Sequence, residues 1–250
     1  MLQVCLNGAR TRAECAHLPT SAEELAAAAR AAVRAGAADI HLHPKDADGR
    51  DTLEPEHVAA AVTAVRAAVP GVPVGVTTGA WTAPDPGRRA ALVRAWTVLP
   101  DHASVNWHED GADEVSDALL ARGVGIEAGI FSGTDAVHRF LGWPRAHRVL
   151  RVLAEITETD PAAAVESAAA LPATLRAGTG LRAGTGLPVL LHGEDAGAWP
   201  VLAVAAALGL DTRIGLEDVL HLPDGSPAGG NAELVRAARE LIEEARRGRE

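Results

Sequence analysis

Two histidines one residue apart, His41 and His43 in Ala38-Asp39-Ile40-His41-Leu42-His43-Pro44-Lys45-Asp46, are the side chains of this sequence best spaced to do chemistry. Successive side chains of a strand point to opposite faces, so the two imidazoles share a face about 7 Å apart along the chain, within reach of one ion. Ile40 and Leu42 then turn the other way, into apolar packing. An imidazole nitrogen binds zinc at roughly 2.0–2.1 Å, and two imidazoles plus a carboxylate leave one position open for substrate. His-x-His alone is a weak signal, and two satisfied core or surface histidines are its ordinary reading. Position adds weight: Pro44 and Gly49 end the strand just after the pair and set it at a C-terminal strand end.

The elements that must carry such a pair follow from periodicity. Short runs rich in Val, Ile and Leu alternate eight times with longer Ala- and Arg-rich segments of helical period. That order predicts an α/β fold, a single (β/α)8 TIM barrel forming one domain over residues 1–250. The expected strands are Gln3–Ala9, Ala38–His43, Val72–Thr78, Ala103–Trp107, Val124–Phe131, Val149–Ile156, Pro188–His192 and Arg213–Asp218. Near-continuous apolar runs suit parallel strands covered on both faces. The expected helices are Ala22–Ala35, Pro55–Val69, Arg88–Leu99, Asp113–Arg122, Thr134–Leu141, Pro161–Leu175, Trp199–Leu208 and Asn231–Arg246. Ser21 and Glu24 form a capping box before the first, and Gly36 follows its last turn as a left-handed cap. Gly123 and Gly209 are expected at helix ends by the same logic. A tandem LRAGTG, Leu175–Gly180 and Leu181–Gly186, reads either as a small duplication in a surface loop or as a phosphate-binding turn.

Composition bounds the function. Apolar residues make up 48% and charged residues 22% of 250, as in an ordinary enzyme with a sizeable core. A formal charge of −10, from 33 acidic against 23 basic residues, argues against nucleic acid or an anionic membrane as partner and leaves small molecules open. Cys5 and Cys15 are the only cysteines, the start of the chain carries no signal-like segment, and no apolar run reaches membrane-spanning length. A cytoplasmic protein is expected. Lys45, two residues past His43, is the only lysine.

In a β/α barrel the reactive groups sit at the C-terminal strand ends and in the loops after them. That rule selects Asn7-Gly8-Ala9-Arg10, then His41 and His43, Thr77-Thr78-Gly79, Ser104-Val105-Asn106 and Glu127. It adds His192 and Glu194 on the seventh strand and Arg213 through Asp218 on the eighth. His17, His57, His102, His138, His147 and His221 read as surface or capping histidines.

These pieces resemble the β-keto acid cleavage enzyme family, whose named member is the 3-keto-5-aminohexanoate cleavage enzyme. The matching residues are Asn7-Gly8-Ala9-Arg10, Leu18-Pro19-Thr20, Ala35-Gly36-Ala37-Ala38, Ile40-His41-Leu42-His43 with Asp46 and Gly49, and Thr77-Thr78-Gly79. They continue through Ser104-Val105-Asn106, Arg213-Ile214-Gly215-Leu216-Glu217-Asp218 and Asn231-Ala232-Glu233-Leu234-Val235. The match is specific over residues 3–110 and 187–240 and weak from about 130 to 186. The resemblance implies a zinc-bound barrel, typically a homotetramer, that converts a β-keto acid and acetyl-CoA into acetoacetate and a new acyl-CoA. It makes His41, His43 and Glu217 the Zn2+ ligands, Asp218 the base assisted by Arg213, and Thr77 and Ser104 hydroxyls near the substrate carboxylate, helped by the N–H at Gly79. Thr78, Asn106 and Arg10 join that substrate-binding set. Glu127 is equally a substrate contact or a buried ion pair, and Glu217 alternatively a salt bridge to Arg213.

The departures concern the substrate. Arg10 stands where the named member has a glutamate for its substrate's ammonium, so a neutral or anionic tail is expected. Lys45 replaces a common arginine and lacks its fork. His192 and Glu194 fall where the family carries a longer loop. A metal-dependent barrel hydrolase and a non-catalytic zinc- or metabolite-binding homologue are the competing readings.

Overall fold

A computed structural model describes residues 1–178 and 186–247. Eight parallel strands and eight helices alternate along the chain, giving the expected (β/α)8 TIM barrel. The strands are β1 (Leu2–Cys5), β2 (Asp39–Leu42), β3 (Val74–Thr77), β4 (His102–Asn106), β5 (Gly125–Phe131), β6 (Arg151–Ile156), β7 (Val189–Gly193) and β8 (Thr212–Ile214). The helices are α1 (Ala22–Ala35), α2 (Pro55–Ala68), α3 (Pro86–Ala95), α4 (Ala112–Ala121), α5 (Ala136–Gly142), α6 (Pro161–Gly178), α7 (Ala198–Leu208) and α8 (Asn231–Arg247). The LRAGTG tandem falls largely outside the described residues.

Each strand pairs with its sequence neighbour, and β8 returns to pair with β1, in the order β7-β6-β5-β4-β3-β2-β1-β8. The ring is nearly closed. Between β7 and β8 the described residues show an isolated bridge, Leu190 to Asp211, instead of a ladder. Leu191 N–H donates to the Asp211 carbonyl at 2.9 Å, and the Thr212 hydroxyl donates to the Leu191 carbonyl at 2.8 Å.

Alternation sorts the side chains. Ile40, Leu42, Val74, Val76, Ala103 and Val105 are fully or almost fully buried in the apolar layer shared with the helices. Their neighbours on the same strands point into the barrel and are largely polar. Lowest is a layer of Gln3, Asp39, His102, Glu127 and Arg151, joined across the barrel by the Gln3–Glu127 bond of 2.9 Å and the Arg151–Asp39 bond of 2.9 Å. His102 Nε2 lies 3.0 Å from Asp39, and its Nδ1 lies 3.1 Å from Glu127. The sequence places His102 among surface or capping histidines, but it is 1% exposed because β4 begins one residue before the expected strand and turns it inward.

Local signals act as expected at α1. The Ser21 hydroxyl accepts from the Glu24 N–H, Glu24 reaches back to the Ser21 N–H, and Gly36 caps the end at φ 114°. Gly209 caps α7 in the same left-handed form, and Gly123 follows the end of α4 at φ 71°. Two C-terminal strand ends differ from the expectation by more than one residue. β1 stops at Cys5, well before Ala9, and β8 stops at Ile214, because Asp218 and Val219 N–H groups both donate to the Gly215 carbonyl and close a turn.

Candidate metal and substrate site

At the C-terminal end of the barrel a cavity of about 370 Å³ receives side chains from most of the strands. His41 reaches it as the inward residue at the end of β2, and His43 follows just beyond that strand. The turn after β8 carries Glu217 to them: its Oε2 lies 3.7 Å from His41 Nε2 and its Oε1 lies 3.7 Å from His43 Nε2. Gly8 makes room for this approach, since a side chain there would meet Glu217 Cγ at 2.4 Å. The three donors lie within 4.8 Å of one another. Bonds of roughly 2.0–2.1 Å in a tetrahedron put donors about 3.3 Å apart, so small adjustments bring these onto one divalent ion. Glu217 Oε2 makes no hydrogen bond among the described residues, as an oxygen kept for a metal would not.

Electrostatics differ between the two histidines. Burial, with Arg213 and His43 nearby, pushes His41 down to about 4, so it is neutral and able to ligate. Burial also works to lower His43, but Glu217 and Asp51 outweigh it and hold the imidazole at about 9. Asp51 lies 2.7 Å from His43 Nδ1 and also accepts from Lys45 Nζ at 2.5 Å and from Trp81 Nε1 at 2.9 Å. A carboxylate on the far nitrogen of a ligating histidine fixes the ring and directs its other nitrogen. Trp81 stacks on the His43 ring at 5.9 Å and stays half exposed at the cavity wall.

Thr77, Ser104, Asn106, Arg213 and Arg10 also line the cavity. Arg213 is buried and binds Asp218 Oδ1 at 2.9 Å and Glu217 Oε1 at 3.0 Å, so the salt bridge and the metal-facing geometry of Glu217 coexist. Asp218 lies behind Arg213, fully buried, with its Oδ2 lacking a partner among the described residues. Burial raises its carboxyl to about 6 against the opposing pull of Arg213 and His192.

Three expected substrate contacts lie elsewhere. The Thr78 hydroxyl donates to the Ser104 carbonyl at 2.7 Å, and the Gly79 N–H donates to the Thr77 hydroxyl at 3.1 Å. Both brace the strand ends and do not line the cavity. Glu127 sits in the polar layer below, bonded to Gln3 and Arg151, which makes it the buried ion pair of the two readings. Arg10 lines the cavity as expected, and its guanidinium also binds Asp195 at 2.5 Å and faces Glu14 at 3.7 Å, so part of its charge is offset.

Sequence reading missed Asp51, Trp81 and Glu155. Glu155 is the last inward residue of β6 and faces the cavity; the rule that selected the other strand ends applies equally to it. Asp51 carried no signal, because it reaches His43 only through the fold-back in which Thr52 N–H donates to the Pro44 carbonyl.

Comparison with known proteins adds the family. ObcA without ligand superposes with a TM-score of 0.69 at 22% identity, covering 93% of this chain and 62% of that one. ObcA in a ternary complex with a C4-CoA adduct and oxalate gives 0.68 at 21%, covering 93% and 64%. The carboxyl transferase domain Y628A of Rhizobium etli pyruvate carboxylase with pyruvate gives 0.60 at 14%, covering 98% and 48%. The chain thus spans less than two thirds of the ObcA chains it resembles, and these likenesses speak to fold. The family model for beta-keto acid cleavage enzyme matches residues 1–249, and the chain belongs to that family.

Proposed function

We propose that this protein is a zinc-dependent β-keto acid cleavage enzyme that condenses a β-keto acid with acetyl-CoA and releases acetoacetate and a new acyl-CoA. The convergence of His41, His43, Glu217 and Arg213 on one cavity, with Asp218 bonded to Arg213 just behind its wall, in a chain matched by the family model almost end to end, carries the reading. A divalent ion on the three ligands would supply Lewis-acid polarisation of a keto carbonyl.

The remaining steps belong to the protein. Thr77, Ser104 and Asn106 offer neutral donors for the substrate carboxylate, at the wall supplied by β3 and β4. Asp218 takes the proton from the carbon between the carboxylate and the keto group, and Arg213 holds that carboxylate in place and stabilises its charge. The carbanion forms a bond to the acetyl carbon of acetyl-CoA and the CoA thiolate leaves. That thiolate then adds to the original keto carbon, the carbon–carbon bond breaks to give the new thioester, and Asp218 returns its proton to the released carbanion to give acetoacetate. The CoA adduct and oxalate in ObcA support CoA chemistry on a related barrel. Cytoplasmic location and a homotetrameric form rest on the family resemblance and composition alone.

The test is acetoacetate release from a panel of β-keto acids with acetyl-CoA, in the wild type and in Asp218→Asn. The amide cannot accept the proton, so turnover falls by about 10²–10⁴ with zinc content unchanged. Wild-type turnover in that variant removes Asp218 as the base; no acetoacetate from any acid overturns the function.

A further inference from the structure

The cavity lining is rich in acids. Five carboxylates line the cavity, Glu14, Glu155, Glu194, Asp195 and Glu217, against two guanidinia, Arg10 and Arg213. Both guanidinia are taken: Arg10 by Asp195, and Arg213 by Glu217 and Asp218. Glu155 and Glu194 are left over.

Glu155 is the sharper case. It is 4% exposed, yet its carboxylate accepts no hydrogen bond among the described residues. The nearest basic nitrogen, His192 Nε2, lies 3.4 Å away without forming a hydrogen bond, and burial keeps that ring neutral by pushing it down to about 3. Space for Glu155 is built in at Gly129, where a Cβ would meet Glu155 Oε1 at 2.7 Å. Phe131 and Leu153 supply apolar surface beside it. Glu194 follows β7 on the adjoining wall, partly buried, and likewise accepts no hydrogen bond among the described residues. Burial raises the Glu155 carboxyl to about 8, and burial with Glu155 nearby raises Glu194 to about 7, so both acids hold their protons readily until a cation beside them favours the ionised form.

We infer that Glu155 and Glu194 form a subsite for a protonated amine on the tail of the substrate, so that the preferred β-keto acid is a cationic one. The inference rests on the proposed reaction for the β-keto acid part and on these two residues for the tail. It reverses the expectation drawn from Arg10, whose charge Asp195 and Glu14 partly offset. An ammonium between the two acids gains charge-assisted hydrogen bonds, while Phe131 and Leu153 take its carbon chain.

The test separates tail recognition from turnover. Zinc-loaded protein without acetyl-CoA is titrated by calorimetry with 5-amino-3-oxopentanoate and with its methyl isostere 3-oxohexanoate. The amino acid binds about 10- to 100-fold more tightly in the wild type. Glu155→Gln and Glu194→Gln each shrink that ratio, and the double variant brings it near one; Glu194, in a loop, gives a reading even if the buried substitution impairs folding. Equal or weaker binding of the amino acid, or an unchanged ratio in the variants, overturns the subsite. Amine preference without acetoacetate formation upholds it and overturns the proposed reaction, turnover without preference does the reverse, and failure of both acids to bind overturns both.

Discussion

Asp51 takes hydrogen bonds from three side chains, and one of them is a candidate metal ligand. A ring held on one side by Asp51 and on its face by Trp81 has little freedom, so His43 Nε2 is directed at the ion's position before any ion arrives. Elemental analysis of untagged protein is expected to give about one zinc per chain, and the His41→Ala, His43→Ala double variant close to none. Full occupancy in that variant would remove the site. At this scale the sequence was legible where a residue acts through its own strand. His41 and His43 share a face by period alone. Asp51 and Trp81 act across loops, and no local pattern says where a loop comes to rest. Asp218 is intermediate: its neighbour to Glu217 was legible, its place behind Arg213 was not.

Elements were legible in kind and order, and less so in length. Apolar runs overestimate strands because the residues past a strand's end stay buried under the loops: Leu6 and Leu216 are both almost fully buried yet lie outside β1 and β8. Caps were more exact, since they depend on one side chain and one backbone group. Ser21→Ala is expected to cost about 1 kcal/mol. Its partner Glu24 is held at about 2, instead of the ordinary 4.5, by the Thr20 N–H, then Arg12 and the Ser21 N–H. A carboxylate whose value falls on folding stabilises above its unfolded value and loses that contribution as pH drops toward the folded one. The melting-temperature difference between wild type and Glu24→Gln should therefore be present at pH 7 and vanish as pH falls from about 4.5 to about 2. A difference that persists at the acid end would mean that the box acts through packing.

On the scale of the whole barrel, the unusual feature is a lower interior filled by charge where bulky apolar layers are the norm. His102 is its hinge pin. Burial works to lower it, but Glu127 and Asp39 prevail and raise it to about 10. A histidine whose value rises on folding stabilises fully below its unfolded value near 6.5 and loses that contribution as pH climbs through the folded one. Urea unfolding should show wild-type stability declining between about pH 6.5 and 10. His102→Ala should cost about 3–5 kcal/mol at pH 6, because it strands buried charges; a cost under 1 kcal/mol would show that water replaces the ring. Of this layer only Glu127 was marked in sequence, as one of two readings, since the layer draws one residue from each of five strands far apart in the chain. The seam between β7 and β8 carries its own consequence. Glu194 and Asp195 stand on one bank of it and Arg213 and Glu217 on the other, with Asp195 N–H reaching the Asp218 carbonyl at 2.7 Å. A molecule that contacts both banks would add a further stitch to the few that close the barrel wall there. Substrate affinity and the resistance of that wall to local breathing are then one free energy seen from two sides.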